Sequence, residues 1–296
     1  MMRLHFALAL VVSAATSVAA QQDTAQAREA FARGRAAVQS RRIEEAIPLL
    51  ELAVALDGKR YEHHMWLGHA YSRQIARVNF MKKAGLARKA GSEYNTAVAL
   101  APTSTDAAEA RLEFFLNAPS MVGGGLDKAK AEAARIATLS KFRGGFAAAR
   151  VADHQKDLVG AEREYRALVA QYPDSSSPVA TLATFLQNNN RYDDAFAVVD
   201  QRLARVPDDT VGLYQLGRIA ALSGQRLPAG EAALRRFLAM LAVKDTLSRA
   251  SGHYRLGMIR ERMGDTTAAR AEYRKATELN PGYEPAASAL KKLGGR

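Results

Sequence analysis

The feature that most limits how this chain can fold is a recurrence of small residues at a fixed interval. Ala149, Ala183 and Gly217 stand 34 residues apart, and so do Ala161, Ala195 and Ala229. In "GAEREYRALVAQYPDS", from Gly160 to Ser175, Ala161 is followed by Tyr165 and then by Pro173. One period later the frame returns as Ala195, Val199 and Pro207, and a further step places Ala229 and Ala233. Gly257, Ala269, Tyr273 and Pro281 keep the internal spacing near the C-terminus. Gly34 with Ala46, and Gly68 with Tyr71, keep it near the start, where Ala90, Tyr94 and Pro102 close the second unit. A unit of this length cannot bury its apolar face alone and must stack on its neighbours.

The residue types suit paired helices. Gly68, Ala149, Gly217 and Gly257 let one helix approach another closely, and Ala161, Ala195, Ala229 and Ala269 do so from the partner. Leu67, Tyr71, Tyr165, Leu182, Leu216 and Tyr273 fill the space between. Proline cannot continue a helix and disfavours helix at the residue before it. The spacing is not uniform. From Ala46 to Ala90 the step is 44, which gives about ten extra residues, and from Ala229 to Ala269 it is 40, which gives six around Ala242 to Ser251. Pro285 to Leu293 reads as a solitary amphipathic helix capping the last pair.

The pattern resembles the tetratricopeptide repeat (TPR). "WLGHAY" (Trp66, Leu67, Gly68, Tyr71) and "YQLGRIA" (Leu216, Gly217) are similar to its first helix, and "AEYRKATELNP" (Tyr273, Ala276, Pro281) to its second. The resemblance covers nearly all of 27–296 in about seven units, the third being the least regular. It implies an all-α chain: a right-handed α-solenoid of about seven TPR-like helix pairs plus the capping helix, as one domain over 21–296. It also implies a non-enzymatic scaffold or adaptor that binds protein or peptide through a concave groove. Two alternatives stay open: a structural subunit binding through its convex face or ends, and an enzyme with a site in the groove.

Other chemistries are weaker. The absence of cysteine removes thiolate catalysis, disulfides and Cys-ligated metals. "APSMVGGGLDKAKAEA", from Ala118 to Ala133, holds three glycines before a lysine-bearing helix. A phosphate loop needs a preceding strand and a closing Gly-Lys-Ser/Thr; here a helix over 105–117 precedes, and Leu126 and Asp127 follow. The expectation is a lengthened turn before a helix over 126–139. An Ala-Pro-x-x-x-Gly-Gly turn of this kind resembles one in bacterial envelope TPR proteins. His63, His64 and His69 lack metal-ligand spacing and read as surface or groove residues. Ser72 to Ser92 carries Arg73, Arg77, Lys82, Lys83, Arg88 and Lys89 without an acidic residue. This is a solvated face or a contact for an anionic partner. The net charge of +12 is dispersed and no nucleic-acid module accompanies it. No nucleic acid, metal or cofactor is expected.

By resemblance to peptide-binding TPR proteins, the position after the small first-helix residue faces the groove. Those positions hold Arg35, His69, Arg150, Thr184, Arg218 and Met258, with Trp66, Arg143, Tyr214, Tyr254 and Arg255 nearby. Guanidinium forks pair with carboxylates and aromatic rings anchor, so the expected ligand is an extended peptide with acidic groups or a free C-terminus.

The first twenty residues, MMRLHFALALVVSAATSVAA, have a basic start at Arg3, an apolar run from Phe6 to Val12, and small residues at Val18 and Ala20. That is the layout of a secretory signal peptide. The run is too short to span a bilayer, and no transmembrane segment is expected in the mature chain. The chain is expected to be exported, as a periplasmic or secreted protein. N-terminal sequencing of protein recovered from the envelope is expected to begin at or near Gln21; Met1 intact in soluble cytoplasm would contradict this.

Overall fold

The computed structural model describes residues 24–294, so the expected leader over 1–20 lies outside the described residues. The described residues form fifteen α-helices and no strand. Helix α1 covers 24–39, followed by α2 (Ile43–Leu56), α3 (Tyr61–Gln74), α4 (Phe80–Leu100), α5 (Thr105–Asn117), α6 (Leu126–Leu139), α7 (Lys141–His154) and α8 (Leu158–Gln171). Then come α9 (Ser176–Asn188), α10 (Tyr192–Arg205), α11 (Thr210–Ser223), α12 (Leu227–Met240), α13 (Thr246–Arg262), α14 (Thr266–Leu279) and α15 (Glu284–Gly294). This is seven helix pairs and a final helix. The helices expected over 105–117 and 126–139 have those bounds.

The chain divides into two compact units, one ending at Ala161 and one beginning at Glu162. In the first, α3 packs on α4 and α5 on α6, and each first helix also packs on the next first helix, α3 on α5 and α5 on α7. In the second, α9 packs on α10, α11 on α12 and α13 on α14. There, α9 also packs on α11, α11 on α13, and α15 covers α14. Within each unit the first helices therefore share a face.

Four of the pairs are closed by one kind of contact. A Cβ added to Gly34 would stand 2.7 Å from Leu50, and one added to Gly68 would stand 2.8 Å from Tyr94. At Gly217 and Gly257 it would come closer still, to Leu234 and Tyr273. In each case a bulky second-helix side chain occupies the space that the glycine leaves. The third pair exchanges the sizes: by register, fully buried Leu112 takes the glycine's place on α5, and Ala133 takes the bulky place on α6. The register expected for α12 is corrected by one residue. Ala229 is exposed, whereas Gly230 is buried against Ala220, and Leu234 rather than Ala233 meets Gly217. Helix α11 runs six residues past Gly217 where α9 runs five past Ala183, so with three-residue turns after both, the second-helix register moves by one.

The prolines stand two residues beyond a second helix: Pro102 after Leu100, Pro173 after Gln171, Pro207 after Arg205 and Pro281 after Leu279. Three of the turn carbonyls are caught by an arginine. Arg135 donates to Pro102 O (2.7 Å), Arg202 to Pro173 O (2.8 Å) and Arg236 to Pro207 O (3.2 Å). Arg202 is itself buried and pairs at 2.6 Å with Asp209, whose side chain caps α11. Part of the chain's basic character is thus structural.

Leu234 is fully buried against Gly217. Gly217→Leu is expected to force α11 and α12 apart at a cost of about 1–3 kcal/mol, as overpacking a dense core does. Thermal unfolding reads the effect, and an unchanged midpoint would mean the helices do not cross at Gly217.

Candidate functional site

The glycine run is a turn. Gly123 and Gly125 have positive φ (104° and 130°), a backbone that favours glycine. All three amides are used internally: Gly123 N–H donates to Ser120 O (3.0 Å), Gly124 N–H to Pro119 O (3.2 Å) and Gly125 N–H to Phe115 O (2.9 Å). Lys128 Nζ donates to Gly123 O (3.0 Å). A phosphate cradle needs free amides pointing outward, and here each already has an acceptor.

The histidines correct the expectation of surface residues. His63 is 1% exposed, with Nδ1 3.0 Å from Asp57 O. His64 is also buried, 2.6 Å from Glu93 and 3.0 Å from Gly58 O. Both tie α3 to the preceding turn. His69 is half-buried, its Nδ1 3.0 Å from the Tyr94 hydroxyl. Burial, then the charge of Arg73, lowers its pKa to about 4, so it is neutral at pH 7. Among the described residues no group of three or more His, Asp or Glu is placed to hold a metal ion.

On the first-helix face of the unit ending at Ala161, the arginines of α7 are matched by carboxylates of α5. Arg143 Nη1 lies 2.9 Å from Asp106 and 3.0 Å from Glu109, and Arg150 pairs with Glu113. Asp106, Glu109 and Glu113 fall at i, i+3 and i+7, one stripe of a helix. A carboxylate ligand would have to break these pairs. Trp66 packs partly buried against the core, with its ring edge-on to His69. Arg35 is exposed, its guanidinium 5.8 Å from the Phe31 ring centroid.

The unit beginning at Glu162 differs. Arg218 on α11 is half-buried and donates to Thr184 Oγ1 (2.8 Å) on α9. Arg255 on α13 lies 5.1 Å over the Tyr254 ring, and its Nη1 points to Met258 Sδ (3.1 Å). Its Nε is buried with no hydrogen-bond partner among the described residues. Neither guanidinium has a carboxylate partner among the described residues, and they feel each other. Arg218 is pushed below its ordinary pKa first by burial, then by the charge of Arg255. Tyr254 and Met258 pack on the Ala269, Tyr273 and Leu293 cluster under α15, and so anchor the helix end rather than stand free.

One turn back along both helices lies a cavity of about 480 Å³, lined by Thr210, Val211, Tyr214, Phe237, Leu247 and Ser251. Tyr214 OH and Ser251 Oγ are 2.6 Å apart across it, and the Tyr214 ring rests on Phe237 with centroids 5.2 Å apart. Tyr214 precedes Arg218 by four residues, as Ser251 precedes Arg255. The seam between α11 and α13 therefore presents an apolar hollow beside a pair of unneutralised guanidiniums.

Sequence reasoning picked out Tyr214, Arg218, Tyr254 and Arg255, which this seam brings together. It placed Arg143 and Arg150 on a face where carboxylates already hold them, and it missed Val211, Phe237, Leu247 and Ser251. The repeat itself held the missing signal. Glu109 and Arg143 are 34 residues apart, and so are Thr184 and Arg218; one period along the chain is one step sideways on this face.

Residues 250–283 match the family model described as tetratricopeptide repeat, and they span most of α13 and all of α14. No curated protein matches the chain in sequence. Among solved structures, a tetratricopeptide repeat protein from Parabacteroides merdae ATCC 43184 is similar over 90% of this chain and 98% of its own. Its identity is 13% and its TM-score 0.51. MamA covers 49% of this chain and 81% of its own at 21% identity and a TM-score of 0.41. YrrB, a TPR protein described as having an unusual peptide-binding site, covers 82% and 97% at 12% identity and a TM-score of 0.40. The last helix pair thus holds a recognised tetratricopeptide repeat, and across nine-tenths of its length the chain has the fold of a tetratricopeptide repeat protein.

Proposed function

We propose that the chain is a non-enzymatic scaffold of the bacterial cell envelope, and that it takes an extended peptide segment along the α11–α13 seam. The observation that carries this reading is the pair of guanidiniums at Arg218 and Arg255 without a carboxylate between them. Two like charges held near one another and partly desolvated are costly, and an anion placed between them relieves both terms. The neighbouring cavity asks for an apolar side chain about one helical turn, ~5 Å, from that anion. An extended chain rises ~3.3 Å per residue, so a carboxylate one or two positions from an apolar residue satisfies both. An acidic–apolar pair and a C-terminal apolar residue with its free carboxylate both have this form. Arg35 and Trp66, on the first-helix face of the other unit, are candidates for further contacts. Arg143, Arg150 and His69 shape that face while already bonded. The envelope setting rests on the leader-like residues 1–20.

The test begins with selection of binding peptides from a library with random, free C-termini. The selected sequences are expected to carry a carboxylate beside an apolar residue. Charge-assisted hydrogen bonds contribute about 1.5–3 kcal/mol each. The double change Arg218→Ala with Arg255→Ala should therefore weaken a selected peptide by about a hundredfold or more in fluorescence anisotropy, and the salt dependence should shrink. Arg150→Ala should leave affinity within about threefold, because Glu113 already neutralises that charge. Selected peptides lacking a carboxylate, or a double variant that binds like the parent at low salt, would discard the reading.

A further inference from the structure

A second surface lies on the first two turns of α4 and is independent of the peptide seam. Helix α4 has 21 residues where α2, α3 and α6 have 14, and its first buried residue is Ala87. The turns before Ala87 stand out from the packed body. Phe80 and Met81, at the tip, are each 88% exposed. Lys82 and Lys83 follow directly, also exposed, and a Cβ on Gly85 would meet nothing within 4 Å. Asn79 caps this helix start by accepting from the Lys82 amide, so the protrusion is an ordered helix end.

Its charge is one-sided. From Ser72 to Ser92 there are six basic residues and no acidic one. Three are engaged elsewhere: Arg73 with Val38 O, Arg77 with Glu44, and Lys89 over the Tyr71 ring. Lys82, Lys83 and Arg88 have no partner among the described residues. Two apolar side chains cannot supply the ~1,200–2,000 Å² of a stable protein interface, and the cores of such interfaces are depleted of lysine. An aromatic and a methionine projecting beside lysines do suit a bilayer surface, where the apolar pair enters the acyl boundary and the ammonium groups meet headgroup phosphates.

We propose that the N-terminal turns of α4 dock this protein on an anionic phospholipid surface, with Phe80 and Met81 inserted and Lys82, Lys83 and Arg88 at the headgroups. Co-sedimentation of the full chain with vesicles tests it, using phosphatidylcholine alone and phosphatidylcholine mixed with phosphatidylglycerol. The parent is expected to pellet with the anionic vesicles and not with the neutral ones. Each basic side chain contributes about fivefold in partitioning near such a surface, so Lys82→Gln with Lys83→Gln should lower it about 25-fold. Phe80→Ser with Met81→Ser should lower it by about tenfold or more. All four side chains are exposed, so both variants should unfold at the parent's temperature, and circular dichroism checks this. Three results would overturn the proposal. The first is a parent that stays in the supernatant with anionic vesicles at low salt, and the second is a parent that pellets equally with neutral ones. The third is a serine variant that binds as the parent does, which would reduce the surface to a contact for any polyanion, an acidic protein face included.

Discussion

Four of the seven helix pairs depend on the contact between a missing side chain on the first helix and a large one on the second. Glycine inside a helix costs roughly 0.5–1 kcal/mol relative to alanine, so it persists there only where close approach returns more. Gly34, Gly68, Gly217 and Gly257 each admit a leucine or tyrosine that is nearly or fully buried. Burying such a side chain contributes about 1.5–3 kcal/mol. The third pair shows that complementarity matters rather than glycine itself, because Leu112 and Ala133 reverse the arrangement and still close a dense core. Once two helices are locked at this distance, their outer stripes remain apolar, and the next pair must cover them. The shared face of the first helices follows from that stacking.

The same frame sorts the arginines. A net charge of +12 invites a polyanion reading, yet many guanidiniums have structural duties. Arg135, Arg202 and Arg236 hold turn carbonyls after second helices, where the backbone would otherwise lack donors. Arg111 and Arg135 clamp Glu132, which is 4% exposed and would be costly alone. Arg143 and Arg150 answer the acidic stripe of α5. Against that background, the arginines and lysines left without carboxylates are informative. Two groups of them stand beside apolar side chains: Arg218 and Arg255 next to the hollow of the α11–α13 seam, and Lys82, Lys83 and Arg88 next to Phe80 and Met81 at the start of α4.

Much of this was legible in the sequence, because the repeat is a packing rule written at fixed intervals. The period, the bounds of α5 and α6, the turn at Gly123 to Gly125, and the solitary last helix all follow from it. The slip at Ala229 has a local cause: α11 is one residue longer than α9, which no side-chain pattern announces. The neutralisation of Arg143 escaped because its partners lie on α5, the first helix of the preceding pair, about a full period away. The burial of His63 and His64 escaped because polar side chains were read as surface, whereas backbone carbonyls and Glu93 satisfy them inside. The cavity could not be read at all, since Phe237, Leu247 and Tyr214 meet only through tertiary packing.

Both surfaces argued for function adjoin the places where the period breaks. The ten-residue excess of the second unit becomes the short helical turn Ile75–Arg77 and the extra turns of α4, where Phe80 and Met81 stand clear. The six-residue excess before Gly257 lengthens α13 to 17 residues and supplies Leu247 to the cavity wall. The physical reason is general to stacked repeats. A residue at a repeating position must satisfy its own pair and the next, so its size and polarity are fixed from two sides. An inserted residue is bound by neither, and an exposed apolar or basic side chain there disturbs no neighbour. Packing accounts for most of the repeating positions, and the insertions set apolar side chains beside cations that packing leaves without a carboxylate.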